Sequence, residues 1–377
     1  MGFYWKSAVV GGIAASSTVL GLVAAGPAQA TPATTPAHTC TQNVDGSGLS
    51  AAVVAKSHQR IANQTINATG CDIGIYIGPR ASHVSIDHVT VENANFQGIL
   101  AQKTSHILIE NSTITENGWH TIDPTIPVPT PMPPGWVQSH VSQSFGVSLF
   151  GVSHSRVENN QVSNNGRGGI GVMDNGPNDP GTITQNANAP LTTSSHDVLV
   201  GNFVTENYSG CGIVVATQNV GGALSNLRIV GNTVKGTGFS SPASQAHGAP
   251  DIGGIVVAAD PPGSSVRQVV VRQNRVTDSF EGGIIVNAEA PNSFTQRVTI
   301  TGNVVSGNNI GHLEAPNTAG VIVFAAPAPG AQNRDTVVSS NWISGQFYGI
   351  WSMGDFAPTT RHNHITVTSG GSPISHS

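Results

Sequence analysis

From residue 74 onward the chain repeats one phrase: a glycine, an apolar residue, a variable position and a second apolar residue. The glycines are Gly74, Gly98, Gly146, Gly169, Gly212, Gly254, Gly283, Gly320 and Gly349, with shortest spacings of 23 and 24 residues. Period-two alternation over so few residues predicts short strands with one face inside. A second phrase follows each of the first eight glycines, written VENNQV, LVGNFV, IVGNTV, VRQNRV, ITGNVV and VSSNWI in its fuller copies. Its asparagines Asn160, Asn202, Asn232, Asn274, Asn303 and Asn341 share one phase, and Asn117, Asn165, Asn207 and Asn308 form a second polar column five residues on. Asparagine tolerates left-handed backbone and satisfies local main-chain groups, which predicts corners at both columns.

A repeat this short cannot bury its apolar side alone, so successive copies must stack. That predicts a parallel β-solenoid, all-β, of about nine or ten coils. Residues from about Cys71 to Thr368 resemble right-handed parallel β-helix repeats, the superfamily of pectate lyases, polygalacturonases and alginate epimerases. The alternative of antiparallel β-sandwiches has no need of in-phase asparagines. On this reading residues 1–30 are a signal peptide, 31–70 an N-terminal cap with a short helix around Leu49 to Ser57, 71–368 the β-helix and 369–377 a tail.

Composition supports strands over helices, because charged residues are only 9% and Gly numbers 45. The leader carries Lys6, an apolar stretch from Ser7 to Ala25 and the small-residue site Ala28-Gln29-Ala30, which predicts secretion or attachment to the cell envelope. The same stretch approaches the roughly 20 residues of a membrane span; an uncleaved anchor is the other reading, and no later run is comparably long. Removing residues 1–30 takes away Lys6 and no acid, so the net charge of −5 becomes −6, a poor match for nucleic acid. In an oxidising compartment Cys40 and Cys71 are candidates for a disulfide, against three free thiols including Cys211.

Extra residues enter where the chain approaches or leaves the glycine-led strands. The largest insertions, 118–145 and 173–196, flank the strands at Gly146 and Gly169 and predict a loop-walled groove there. Its floor would be Tyr76, Leu100, Ser148, Gly171, Val214, Val256, Ile285, Ile322 and Trp351. So apolar a floor is either covered by loops or a hydrophobic binding surface.

Just past these strands lie Asp174, Asp260 and Glu289. Asp260 and Glu289 are one coil apart, near the roughly 5 Å of a retaining glycosidase pair, and Asp174 and Asp260 two coils apart, near the spacing of an inverting one. Arg167, on the opposite wall with Glu281, suits the carboxylate of an acidic sugar. Trp136 and His140 in the proline-rich insertion are, with Glu281, candidate substrate contacts. Asp174 and Asp179 are candidate calcium ligands, calcium being the one cofactor the chain suggests. His83, His106, His154 and His196, each after a serine and in one phase, read as corner residues in preference to metal ligands.

The chain lacks the adjacent aspartates and Gly-His-Gly of polygalacturonase-like proteins and the Asp-Pro-His-Asp of alginate epimerases. The resemblance therefore implies polysaccharide as the partner, with a lyase, hydrolase or epimerase activity carried by Asp174, Asp260, Glu289 and Arg167. The alternative is a non-catalytic envelope or extracellular binding protein.

Overall fold

A computed structural model describes residues 39–118, 145–166, 168–177, 186–208, 210–238, 252–311 and 318–377, all within the compact unit His38–Ser377. The glycine-led strands stack in parallel as one sheet, here sheet A. Among the described residues it has eleven rungs, from Ala51–Val54 through Ile73–Ile77, Gln97–Gln102 and Phe145–Phe150 to Trp342–Met353 and His364–His376. Two further stacks complete each coil. Sheet B contains Leu108–Glu110, Arg156–Glu158 and Val198–Val200, and sheet C Thr113–Thr115, Gln161–Ser163 and Phe203–Thr205. Their pairings are parallel and in register, which excludes the antiparallel sandwich.

The first and last boundaries differ from those read in the sequence. Ala51–Val54 pairs with Ile73–Ile77 and Arg60–Asn67 with Ser85–Glu92, so residues assigned to the cap already form a coil. The expected helix around Leu49 to Ser57 is a strand, because Ala51 and Val53 align with Ile73 and Ile75; the helical turn is a short 3-10 segment, Val44–Gly46. The expected tail is part of the last rung, His364–His376. No helix among the described residues is long and apolar enough to cross a membrane; residues 1–30 lie outside them.

Each sheet A strand turns its first and third post-glycine positions inward, as with Ile75 and Ile77, into one continuous core. The glycine itself has no room for a side chain. A Cβ on Gly254 would lie 2.2 Å from Val276 Cγ1 and 2.9 Å from the Gly283 carbonyl, and Gly98 and Gly212 are equally tight.

Both asparagine columns point inward. Asn160, Asn202, Asn232, Asn274, Asn303, Asn341 and Asn363 form an unbroken ladder in which each backbone N–H and Nδ2 donates to Oδ1 on the next coil at 2.9–3.1 Å. Each Nδ2 also donates to a main-chain carbonyl, for example Asn274 to Ile229 at 2.9 Å. The left-handed residue is the one before, Asn159, Gly201, Gly231, Gln273, Gly302 or Ser340, rather than the column asparagine. The second ladder runs Asn117, Asn165, Asn207 and resumes where Ser279 N–H donates to Asn308 Oδ1.

One inward column holds a carboxylate. Asp197 is 1% exposed; its Oδ1 accepts from Ser155 N–H at 2.9 Å and its Oδ2 has no hydrogen-bond partner. Burial pushes its pKa up to about 8.

Cys40 and Cys71 form a disulfide that spans 31 residues and ties the cap to the first coils, packed against Ala68 and Ala94. Replacing both by serine should lower stability by about 2–4 kcal/mol, the chain-entropy value for a loop of this length. A denaturant titration measures it, and an unchanged midpoint contradicts it. Cys211 is buried and takes no part in a disulfide.

Candidate functional site

The face of sheet A expected to floor a groove is closed. Tyr76, Leu100, Ser148, Val214, Val256, Ile285, Ile322 and Trp351 are all buried. The apolar ones join Phe145, Phe150, Met173 and Phe324 in a second apolar cluster outside the coil. Phe145 lies against Gly168 and Gly171, where a Cβ would collide with its ring. Periodicity gave the outward direction correctly, and of its two readings the structure takes the covered one.

The acids of that rim are mostly engaged. Asp174 is 1% exposed; its carboxylate accepts from Gln218 N–H and from Asn219 Nδ2 at 2.9 Å and lies against Gly222. It fastens the turn of the next coil, and desolvation raises its pKa. In register it meets Thr217, not the rung position of Asp260. Both oxygens are committed inside the protein, so neither the inverting pair nor a calcium ligand survives at Asp174. Glu281 is buried as well and accepts from Ile252 N–H at 3.0 Å, which removes it from substrate contact.

Asp260 and Glu289 do come together. They follow the paired residues Ala259 and Ala288, and Glu289 N–H donates to the Ala259 carbonyl at 3.1 Å. Both are half-buried. Asp260 N–H donates to Thr217 Oγ1 at 3.2 Å and Asn287 Nδ2 donates to Glu289 at 2.5 Å. Arg167, Trp136, His140 and Asp179 lie outside the described residues. Among those described, no three His, Cys, Asp or Glu side chains are placed to hold a metal.

A different surface emerges at the corner leading into sheet B. Two adjacent columns run there through nine coils. One is Ser57, Ser82, Ser105, Ser153, Ser195, Ser225, Arg267, Gln296 and Arg334. The other is His58, His83, His106, His154, His196, Asn226, Gln268, Arg297 and Asp335, all with φ between 53° and 61°. Left-handed backbone turns these side chains out at each coil. The histidines are thus corner residues, with His58 as a fifth member.

On the later coils the corner becomes basic. Phe294 lies between two guanidinium groups, with Arg267 Cζ 4.8 Å and Arg334 Cζ 5.0 Å from its ring centroid, a contact that orders both side chains. Arg297 stands beside them, and Arg228, Arg272 and Arg361 continue the charge across sheet B. Early arginines are neutralised: Arg60 pairs with Asp87 at 2.7 Å, Arg80 with Asp45 at 2.7 Å, and Arg156 with Glu158. Arg60 holds the Asp87 carboxyl down at about 2. Of the seven later ones, the six on this corner and flank, Arg228, Arg267, Arg272, Arg297, Arg334 and Arg361, make no ion pair among the described residues. Asp335 is the one acid in the two columns, and Gln296 Nε2 donates to it at 3.4 Å. Insertions scatter these arginines in the sequence; extending the serine–histidine phase through every coil is the signal that unites them.

A family model described as the right handed beta helix region matches residues 43–260. No curated protein matches by sequence. Among solved structures, the tailspike protein of E. coli bacteriophage HK620 in complex with pentasaccharide is 10% identical with a TM-score of 0.52, over 88% of this chain and 55% of its own. The mannuronan C-5 epimerase AlgE6 A-module of Azotobacter vinelandii is 17% identical with a TM-score of 0.47, over 81% and 67%. The periplasmic alginate epimerase AlgG is 10% identical with a TM-score of 0.43, over 84% and 59%. The chain therefore spans between 55% and 67% of the length of these three. At such identities the likeness is one of fold.

Proposed function

The chain belongs to the right-handed β-helix family, and from that footing we propose that it is an exported protein that binds an acidic polysaccharide along the basic corner and flank of its later coils. The observation that carries this is the set of six arginines with no ion pair among the described residues, two of them stacked on Phe294, on a chain whose net charge is −5. An unneutralised guanidinium keeps its charge at any working pH and presents a planar fork to carboxylates. A stack of coils about 4.8 Å apart repeats such groups along a line, which suits an extended polymer better than a compact ligand. The HK620 tailspike, similar in fold, is solved in complex with a pentasaccharide, and the leader at residues 1–30 supports export.

The test is affinity for polygalacturonate against neutral dextran, at about 50 and about 500 mM salt, where screening separates charge from other contacts. We expect binding to the acidic polymer alone, weakened by salt, and reduced about tenfold or more in Arg267→Ala/Arg334→Ala. Equal binding to dextran, or an unaffected double variant with normal circular dichroism, overturns the proposal.

A second reading has its own observation, the in-register pair Asp260 and Glu289. If that rim cleaves a glycan, turnover measured as new reducing ends or as absorbance of an unsaturated product is lost in Asp260→Asn and in Glu289→Gln, while polymer binding persists.

A further inference from the structure

On the first five coils the same corner carries no arginine but an unbroken row of imidazoles. His58, His83, His106, His154 and His196 are all exposed, and their rings stack with centroids 4.9, 4.5, 5.3 and 4.8 Å apart and planes within 17° of parallel. Ser82 and Ser105 Oγ lie 3.2 and 3.0 Å from Nδ1 of His83 and His106, which holds that edge of each ring against its serine. Beside the row runs a shallow hydroxyl-rich groove of about 520 Å³, lined by Ser82, Lys103, Ser105, Ser153, Thr192 and Ser195.

Stacked imidazoles first suggest a metal, but parallel planes hold neighbouring nitrogens side by side, so their lone pairs do not converge on one ion. The geometry suits a linear anion instead. We propose that this serine–histidine row is a second binding subsite for acidic glycan, engaged when the imidazoles carry charge; it rests on the reading of the arginine corner as a site for the same polymer.

Histidine is the side chain whose charge changes between about pH 5 and 8. Positive rings at one-coil spacing repel one another, and a chain of carboxylates laid along them relieves that repulsion. Binding must then take up protons, because linkage is reciprocal. The surrounding charges permit this. Neither corner column holds a carboxylate on these five coils. On the sheet B side Asp87, Glu110 and Glu158 lie four residues after His83, His106 and His154, and Asp87 and Glu158 are paired with Arg60 and Arg156. His88 is bonded to Asp87 at 2.5 Å, away from the row. On the other side stand Lys56, Lys103 and the Arg80–Asp45 pair.

Gln268 occupies the histidine column on a later coil at φ 56°, so glutamine fits this backbone. Binding of oligogalacturonate is therefore compared in the full-length wild type and His83→Gln/His106→Gln/His154→Gln at about pH 8 and about pH 5.5. We expect wild-type affinity to rise about tenfold at the lower pH, with proton uptake by calorimetry in two buffers, and the triple variant to keep the affinity at pH 8 and lose the gain. A gain retained by the triple variant, or wild-type binding with no gain, overturns this subsite and leaves the arginine reading standing. No binding at either pH overturns both. Binding only at the lower pH and lost in the triple variant supports the row and removes the arginines.

Discussion

Replacing Asn274 by alanine is expected to lower stability by about 3–5 kcal/mol, more than any single surface change in this molecule. The side chain makes four bonds in a buried setting. Its Oδ1 accepts from the N–H and Nδ2 of Asn232 at 2.9 and 3.0 Å, and its Nδ2 donates to Asn303 Oδ1 and the Ile229 carbonyl at 3.0 and 2.9 Å. Truncation leaves the Asn232 N–H buried without a partner and takes one donor from the Ile229 carbonyl, and that desolvation dominates the cost. Asn274→Ser should lose less, because Ser112 holds the same column position on an earlier coil and its Oγ accepts from Val89 N–H at 3.0 Å. Denaturant midpoints with hydrogen exchange across Thr233–Lys235 and Arg275–Thr277 would measure both variants. A loss below about 1 kcal/mol for Asn274→Ala would show that the ladder decorates the coil without holding it.

The second large effect is expected of Asp197→Asn, and it depends on pH. Burial raises the Asp197 pKa from 3.8 to about 8, so the folded chain binds a proton that the unfolded chain has released. Stability from this group is full below about pH 4 and is lost as pH rises through about 8, by up to about 5 kcal/mol. An asparagine keeps an oxygen for Ser155 N–H and cannot ionise. The variant and the wild type should therefore be similar near pH 4, with the variant several kcal/mol more stable near pH 9. Parallel stability curves across that range would contradict the assignment.

Much of the coil was legible because its constraints repeat. The glycines recur because a Cβ would strike a neighbouring coil, as at Gly254, and the asparagines because each needs another above it. What periodicity could not show was depth. Ile285 and Ile322 alternate outward like surface residues, yet Phe145, Phe324 and their neighbours belong to one cluster with them. Nor could it show that Asn160 itself turns inward while Asn159 takes the left-handed corner. Asp174 has the phase of a residue beside a strand, and phase carries no information about the Gln218 and Asn219 groups that claim its oxygens. Arg267, Arg297 and Arg334 were missed for the opposite reason: insertions separate them in the chain, and only coil-to-coil register places them together.

The most direct test of the central claim is a crystal structure of the protein with bound oligogalacturonate. The account predicts the saccharide along the sheet B corner, with its carboxylates on Arg267, Arg297 and Arg334 beside Phe294. A saccharide seated over sheet A against Asp260 and Glu289, with that corner empty, would contradict it.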